Sequence, residues 1–198
     1  GDWQDYYYDQ QITYDSEGRM IEDADIDSKI KYTYLPTGET KDTYFYMLQN
    51  DEWVMTSKTI ATVVDGWITE YNDSVFGYYD YDLDRHVDAW VPAYRTVFTR
   101  DETTGLITGI TKRYDNGLWV NSQKEVGILD ELHRPLMRES YNWRESYDSE
   151  DGEWVGDNKV ELAYGPNGNR VMYATYTWNE YDSAWEGDEK SEEDIDPV

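Results

Sequence analysis

Apolar and polar residues alternate along most of this chain with a period of two. In Lys58-Thr-Ile-Ala-Thr-Val-Val64, Ile60, Thr62 and Val64 fall on one face. In Lys159-Val-Glu-Leu-Ala-Tyr164, Val160, Leu162 and Tyr164 do the same. Lys31-Tyr-Thr-Tyr34 and Thr43-Tyr-Phe-Tyr46 alternate with aromatics in the apolar positions. Two-residue periodicity rich in β-branched and aromatic side chains predicts strands. No segment carries a 3.6-residue apolar period with helix caps, so no helix is predicted.

A longer period overlies the short one. Trp53, Trp90, Trp119, Trp154 and Trp185 are each followed five residues later by a base: Lys58, Arg95, Lys124, Lys159 and Lys190. A glycine turn follows Trp53, Trp90 and Trp154 after 13, 15 and 14 residues, at Gly66, Gly105 and Gly168. After Trp119 the same offset falls on His133, before Arg134-Pro135, so that unit turns without glycine. Trp3 stands 15 residues before Gly18, and Gly38 implies a further anchor at Ala24, with Lys29 five residues on. Units therefore begin near residues 3, 24, 53, 90, 119, 154 and 185, the last cut short. A second turn precedes each Trp, at Asn50-Asp51-Glu52, Asn116-Gly117, Ser149 to Gly152 and Asp182-Ser183.

Each unit reads as strand, turn, strand, turn. Short connections make successive strands antiparallel neighbours. The predicted fold is all-β: an elongated antiparallel meander of about six hairpin repeats and about twelve strands, as an open twisted sheet or a β-solenoid, with a closed barrel or sandwich as the alternative. Residues 1–190 read as a single repeat domain and 191–198 as an acidic C-terminal tail.

Composition sharpens this picture. Leu, Ile, Val and Phe together number 35 of 198 residues, and the net charge is −26, a balance typical of disordered chains. The 20 Tyr and 9 Trp supply the missing hydrophobicity. Their apolar bodies and polar tips suit a thin sheet that stays wet on its surface. The acids concentrate in turns and edges, as a solubility coat. The charge opposes a nucleic-acid partner, and no apolar run is long enough to span a membrane. Without Cys there is no disulfide, thiolate zinc site or thiol nucleophile.

Tyr14-Asp15-Ser16-Glu17-Gly18-Arg19 resembles the Tyr-Asp-x-x-Gly-Arg signature of YD-type hairpin repeat proteins, and Tyr164-Gly-Pro-Asn-Gly168-Asn-Arg170 is a looser copy. In style the whole chain also resembles uncharacterised secreted Tyr-Trp-Asp-rich repeat proteins of Bacteroidetes. The YD resemblance implies strand-turn-strand units in an extracellular setting, and neither resemblance brings catalytic residues.

Three sets of residues invite a chemical reading. Asp23, Asp25 and Asp27, and Asp80, Asp82 and Asp84, would form carboxylate rows about 7 Å apart on a strand, or could wrap Ca²⁺ in a loop. Position twelve of an EF-hand loop would be Tyr34 or Val91, so that motif is absent, and a solvated acidic edge is the preferred reading. The same-face pairs Tyr44 and Tyr46, Tyr141 and Trp143, and Tyr176 and Trp178 could present flat platforms for sugar rings, or serve as cross-strand pairs that hold the sheet. The base after each Trp suits a stack over a neighbouring aromatic or a pair with a turn acid. His86 and His133 are the only histidines, and no hydrolase, metalloprotease or phosphate-loop motif occurs.

The expectation is a non-enzymatic secreted or cell-envelope interaction or scaffold module, contacting a protein or glycan at a bacterial surface. It needs no cofactor beyond an optional Ca²⁺. A carbohydrate-binding module is the alternative and a glycan-active enzyme the third reading. Gly1 in place of an initiator Met suggests a processed chain.

Overall fold

A computed structural model describes residues 10–80, 85–132, 134–145 and 152–192. All regular structure in these residues is β. The strands are β1 (Gln11–Tyr14), β2 (Met20–Ala24), β3 (Ser28–Tyr34), β4 (Thr40–Gln49), β5 (Glu52–Val64), β6 (Trp67–Asp80) and β7 (Arg85–Arg100). They continue with β8 (Leu106–Asp115), β9 (Leu118–Leu129), β10 (Pro135–Glu145), β11 (Gly152–Tyr164), β12 (Arg170–Asn179) and β13 (Ala184–Glu192). They pair in sequence order in one sheet, and its terminal strands β1 and β13 do not close on each other. The meander is thus the predicted one, in its open rather than barrel form. The thirteenth strand is the stub begun by Trp185, and it takes in Ser191 and Glu192 of the expected tail. The chain forms two compact units, residues 1–95 and 96–198.

Turn chemistry explains the short connections. Asp65-Gly66 and Asn116-Gly117 have positive φ at both positions, as does Asn50-Asp51. That conformation matches the right-handed twist of the strands it joins. A second turn type closes the other ends. Asp15, Leu35, Asp130 and Gly165 each donate their N–H to the carbonyl four residues on, at 2.8 to 2.9 Å.

The Asp15 and Asp130 turns are the same device. Asp15 Oδ1 accepts the N–H groups of Glu17 and Arg19, and Oδ2 pairs with the Arg19 guanidinium. Asp130 does the same with Leu132 and Arg134. Each Arg then lies over a Tyr of the adjacent hairpin, Arg19 over Tyr34 at 4.9 Å and Arg134 over Tyr164 at 4.3 Å. The turn without glycine is therefore an Asp-x-x-x-Arg turn like the first.

These bonds, chiefly from the backbone N–H of the Arg, hold both carboxyls below the usual aspartate range. A depressed folded-state value contributes stability that is fully present above the unfolded value. That contribution is lost as pH falls through the folded one. A carboxyl NMR titration should place both midpoints below that of an ordinary aspartate. Because the backbone donors dominate, Arg134→Gln should raise the Asp130 midpoint only part of the way. Midpoints at the ordinary value would contradict the turn geometry.

Each unit is thinly covered. The buried hydrophobic side chains among the described residues are Leu35, Ala61 and Ile68 in the first unit and Ala174 in the second, and no side chain is fully buried. Aromatic packing within the sheet surface replaces a core. Trp143 faces its direct cross-strand partner Trp154 edge-on at 4.9 Å, Trp178 faces Trp185 at 5.0 Å, and Tyr114 faces Trp119 at 5.2 Å. Such pairs contribute about 0.5–1.5 kcal/mol each beyond their buried area.

One irregularity recurs. Thr56, Ser122, Asp157 and Asp188 are extra residues, bulged out of register three positions after Trp53, Trp119, Trp154 and Trp185. A bulge inserts one residue, so it reverses which later positions share a face. The base five residues after Trp thereby returns to the tryptophan face.

Candidate functional site

The register places the aromatic pairs on the tryptophan face of their own unit. In the second unit Tyr141 packs edge-on against Trp178 at 5.9 Å and Trp185 at 5.6 Å. The Trp185 indole N–H donates to the Tyr141 hydroxyl at 3.3 Å, which itself donates to Glu139 at 2.6 Å. Tyr176 donates to Glu161 at 2.6 Å. Lys159 bridges the two carboxylates, 3.2 Å from Glu139 and 3.1 Å from Glu161. The result is a continuous polar seam running through an aromatic surface.

The ionisation of the seam follows from these contacts. Desolvation and the bond to Glu139 push the Tyr141 phenol up, and the bond to Glu161 does the same to Tyr176. The Tyr176 hydroxyl in turn holds Glu161 down. Burial opposes the charge on Lys159, but its bonds to Glu161 and Glu139 prevail and raise its pKa. Lys124 has no carboxylate so close, and desolvation lowers it.

The recurrent base covers aromatic rings. Lys29 lies 4.5 Å from the Trp53 ring and Lys58 4.4 Å from Trp90. Lys124 lies 3.9 Å from Tyr141 and 5.5 Å from Trp154, and Lys159 lies 4.9 Å from Tyr176. In three cases, then, the base of one unit lies over the Trp that opens the next repeat. Arg95 instead pairs with Glu70 at 2.7 Å. Tyr141, Trp143, Tyr176 and Trp178 are all half-buried. Tyr141 and Tyr176 each carry an ammonium over the ring, where a sugar would stack.

Tyr44 and Tyr46 differ. They line an open cavity of about 460 Å³ in the first unit, together with Thr13, Glu22, Lys31 and Thr33. Lys31 pairs with Glu22 at 2.9 Å. Lys29 and Lys31 approach the Tyr46 ring at 5.2 and 6.0 Å.

Asp23, Asp25 and Asp27 straddle the end of β2 and the turn to β3. Asp23 accepts from the Gln10 amide and Asp25 from the Ile26 N–H. No three carboxylates or imidazoles among the described residues gather as a metal would require. Asp82, Asp84 and the side chain of Asp80 lie outside the described residues, as do His133 and the side chain of His86.

A second hollow, on the opposite face of the second unit, has no counterpart among the residues singled out by spacing. It has a volume of about 450 Å³ and is lined by Gln123, Ser140, Asn142, Asp157, Asn158 and Tyr173, among others. Its residues come from four strands. The one local signal is the polar residue at the bulge, Asp157.

These features define a class: unclosed antiparallel meander sheets built from hairpin repeats. No protein-family profile matches the sequence, and no curated protein matches it. Among solved structures the chain is similar in fold to a protein of unknown function (BF3112) from Bacteroides fragilis NCTC 9343. The identity is 10% and the TM-score 0.50, over 69% of this chain and 91% of that one. A DUF3836 family protein from Parabacteroides distasonis ATCC 8503 aligns with 45% of this chain and 75% of its own, at 17% identity and a TM-score of 0.31.

Proposed function

We propose that this chain is a non-enzymatic interaction module acting at the cell envelope or outside the cell. The observation that carries the reading is the uncovered apolar surface of a one-layer sheet. Phe45 and Met47, two apart on one face of β4, are 37% and 48% exposed. Large apolar side chains grouped on a sheet face mark a contact surface, while the surrounding acids keep the free chain soluble. A photo-crosslinking residue placed at Met47 in the source cell should trap one partner of defined mass, and excess unlabelled chain should compete with it. If crosslinkers at Met47 and at Trp53, on the other face of the same unit, both trap nothing, the reading fails.

A second reading, carbohydrate binding, is favoured by the cavity over Tyr44 and Tyr46. The Tyr44 ring offers stacking surface, and the Glu22–Lys31 pair offers hydroxyl partners. On this reading Tyr44→Ala weakens binding of a glycan at least tenfold, read by calorimetry, and leaves the β-sheet circular dichroism unchanged. Unaltered affinity would remove this cavity from consideration.

A further inference from the structure

The hollow on the opposite face of the second unit is built differently from the tyrosine cavity. Gln123 and Asn142 are direct cross-strand partners on β9 and β10, and Ser140 and Asn158 are partners on β10 and β11. The bulge at Asp157 adds a carboxylate beside them, and Ser140 Oγ lies 3.2 Å from Asp157 Oδ2. Three primary amides, a hydroxyl and a carboxylate thus lie across three adjacent strands, each within two residue steps of the next.

Their hydrogen-bonding capacity is largely uncommitted. The Gln123, Asn142 and Asn158 side chains make no hydrogen bond with other described residues, while Ser140 Oγ lies 3.2 Å from Asp157 Oδ2 and 3.5 Å from the Asn158 carbonyl oxygen. Each amide offers two donors and a carbonyl acceptor in one plane, while the carboxylate accepts only. That combination matches vicinal hydroxyls, each of which donates and accepts. The floor is apolar: Val160 and Tyr173 also line the hollow, and they suit the C–H face of a ring. Arg170 lies 4.9 Å from the Tyr173 ring centroid and takes one face of the ring, so a ligand in the hollow meets the other face or the ring edge.

Charge narrows the ligand class. The arginine at the rim, Arg138, is paired with Glu125 at 2.8 Å. Lys124 also lines the hollow, but its ammonium lies over the Tyr141 ring at 3.9 Å on the tryptophan face, so Asp157 is the charge that faces a ligand, on a chain of charge −26. Phosphorylated, sulfated and uronic-acid ligands are repelled. The volume, about 450 Å³, falls in the range of small-ligand sites, about 300–1,000 Å³.

We propose that this hollow binds an uncharged glycan segment of one or two sugar rings. Gln123, Asn142 and Asn158 bond its hydroxyls, Asp157 accepts from a vicinal pair, and Tyr173 supports the ring. The inference shares the carbohydrate class of the second reading but takes a separate site and a neutral ligand, in which Tyr44 has no part.

The test is an array of neutral and acidic glycans probed with the full chain. Calorimetry on the strongest neutral hit then compares wild type, Asn142→Ala, Asn158→Ala and Tyr44→Ala, with circular dichroism as a check on folding. The expected result is binding of a neutral glycan that Asn142→Ala and Asn158→Ala each weaken about tenfold or more, the loss expected for one or two polar contacts. Tyr44→Ala is expected to leave it unchanged. Asn142→Asp serves as a second variant of near-identical shape, and it should weaken binding because a carboxylate has no donors and adds negative charge. If only Tyr44→Ala weakens binding, the hollow is not the site and the tyrosine cavity is. If only acidic glycans bind, the neutral class is wrong. If no glycan binds, both carbohydrate assignments fall and the protein-partner reading stands apart from them.

Discussion

Gly156→Ala is expected to destabilise the second unit by about 3 kcal/mol, the upper end of what overpacking costs. A Cβ at Gly156 would overlap the six-membered ring of the Trp178 indole. The far end of a flexible side chain could swing away, but Trp178 cannot. It is held edge-on by Tyr141 at 5.9 Å and by Trp185 at 5.0 Å, and Tyr141 is tied in turn to Glu139. Gly187 supplies the control. It stands two residues after Trp185, just as Gly156 stands two after Trp154, yet a Cβ there meets nothing within 4 Å. β13 is the last strand among the described residues, and none of these sends a Trp across it from the far side. Gly187→Ala should therefore be neutral or slightly stabilising, since Gly in a strand costs entropy. Urea denaturation with constant m-value, supported by amide exchange in β11, measures both. A double-mutant cycle with Trp178→Leu should recover most of the loss, because the two groups compete for one space. Equal effects at Gly156 and Gly187 would refute the argument.

That contrast shows where the sequence was readable and where it was not. Hairpin order was legible because glycine and Asn-Gly turns punctuate period-two arms, and because each Trp restarts the count. The odd offset of the base was also visible, at Lys58, Lys124 and Lys159, and so was its stack over a neighbouring aromatic, but not the face it takes. Strict alternation puts a residue five after Trp on the face opposite to it. The bulges at Thr56, Ser122 and Asp157 restore it to the same face, and nothing in a single strand's pattern marks an inserted residue. Same-face placement of Tyr141 with Trp143 followed from spacing alone. What covers those rings depends on Lys124, from the neighbouring strand. The polar hollow was further out of reach, because Gln123, Asn142 and Asn158 meet only through two cross-strand registers, one of them shifted by the bulge. The non-glycine turn before Pro135 was legible by its offset from Trp119, but its kinship with the first turn was not, for a simpler reason. Aligning units on glycine hides the Asp-x-x-x-Arg spacing that Asp130–Arg134 shares with Asp15–Arg19.

Asp42→Ala should cost the first unit about 3 kcal/mol, again large for a chain with so few buried side chains. Asp42 is the one buried charged residue among those described, 6% exposed, in a protein whose 43 acids otherwise favour its edges. Its carboxylate does the work of a missing strand partner. Oδ1 accepts the Ala61 N–H at 3.1 Å, and Ala61 lies beyond the last regular pair of β4 with β5, Thr43 with Thr59. Oδ2 accepts the Thr33 hydroxyl at 3.0 Å, and that hydroxyl accepts the Asp42 N–H at 3.0 Å. One side chain therefore clamps β3, β4 and β5, with Lys41 3.4 Å away to offset the charge. Alanine would leave the Ala61 N–H buried without an acceptor, at about 1–3 kcal/mol, and would forfeit a charge-assisted bond to Thr33, about 1.5–3 kcal/mol before the strands relax. Asparagine keeps an acceptor for Ala61 and can donate to the Thr33 oxygen, so Asp42→Asn should cost only about 1 kcal/mol. Exchange of the Ala61 amide reads the clamp directly: protected in the wild type, weakened little by asparagine, and fast in the alanine variant. Continued protection of that amide in Asp42→Ala, with a loss below about 1 kcal/mol, would mean that backbone pairing alone holds the three strands.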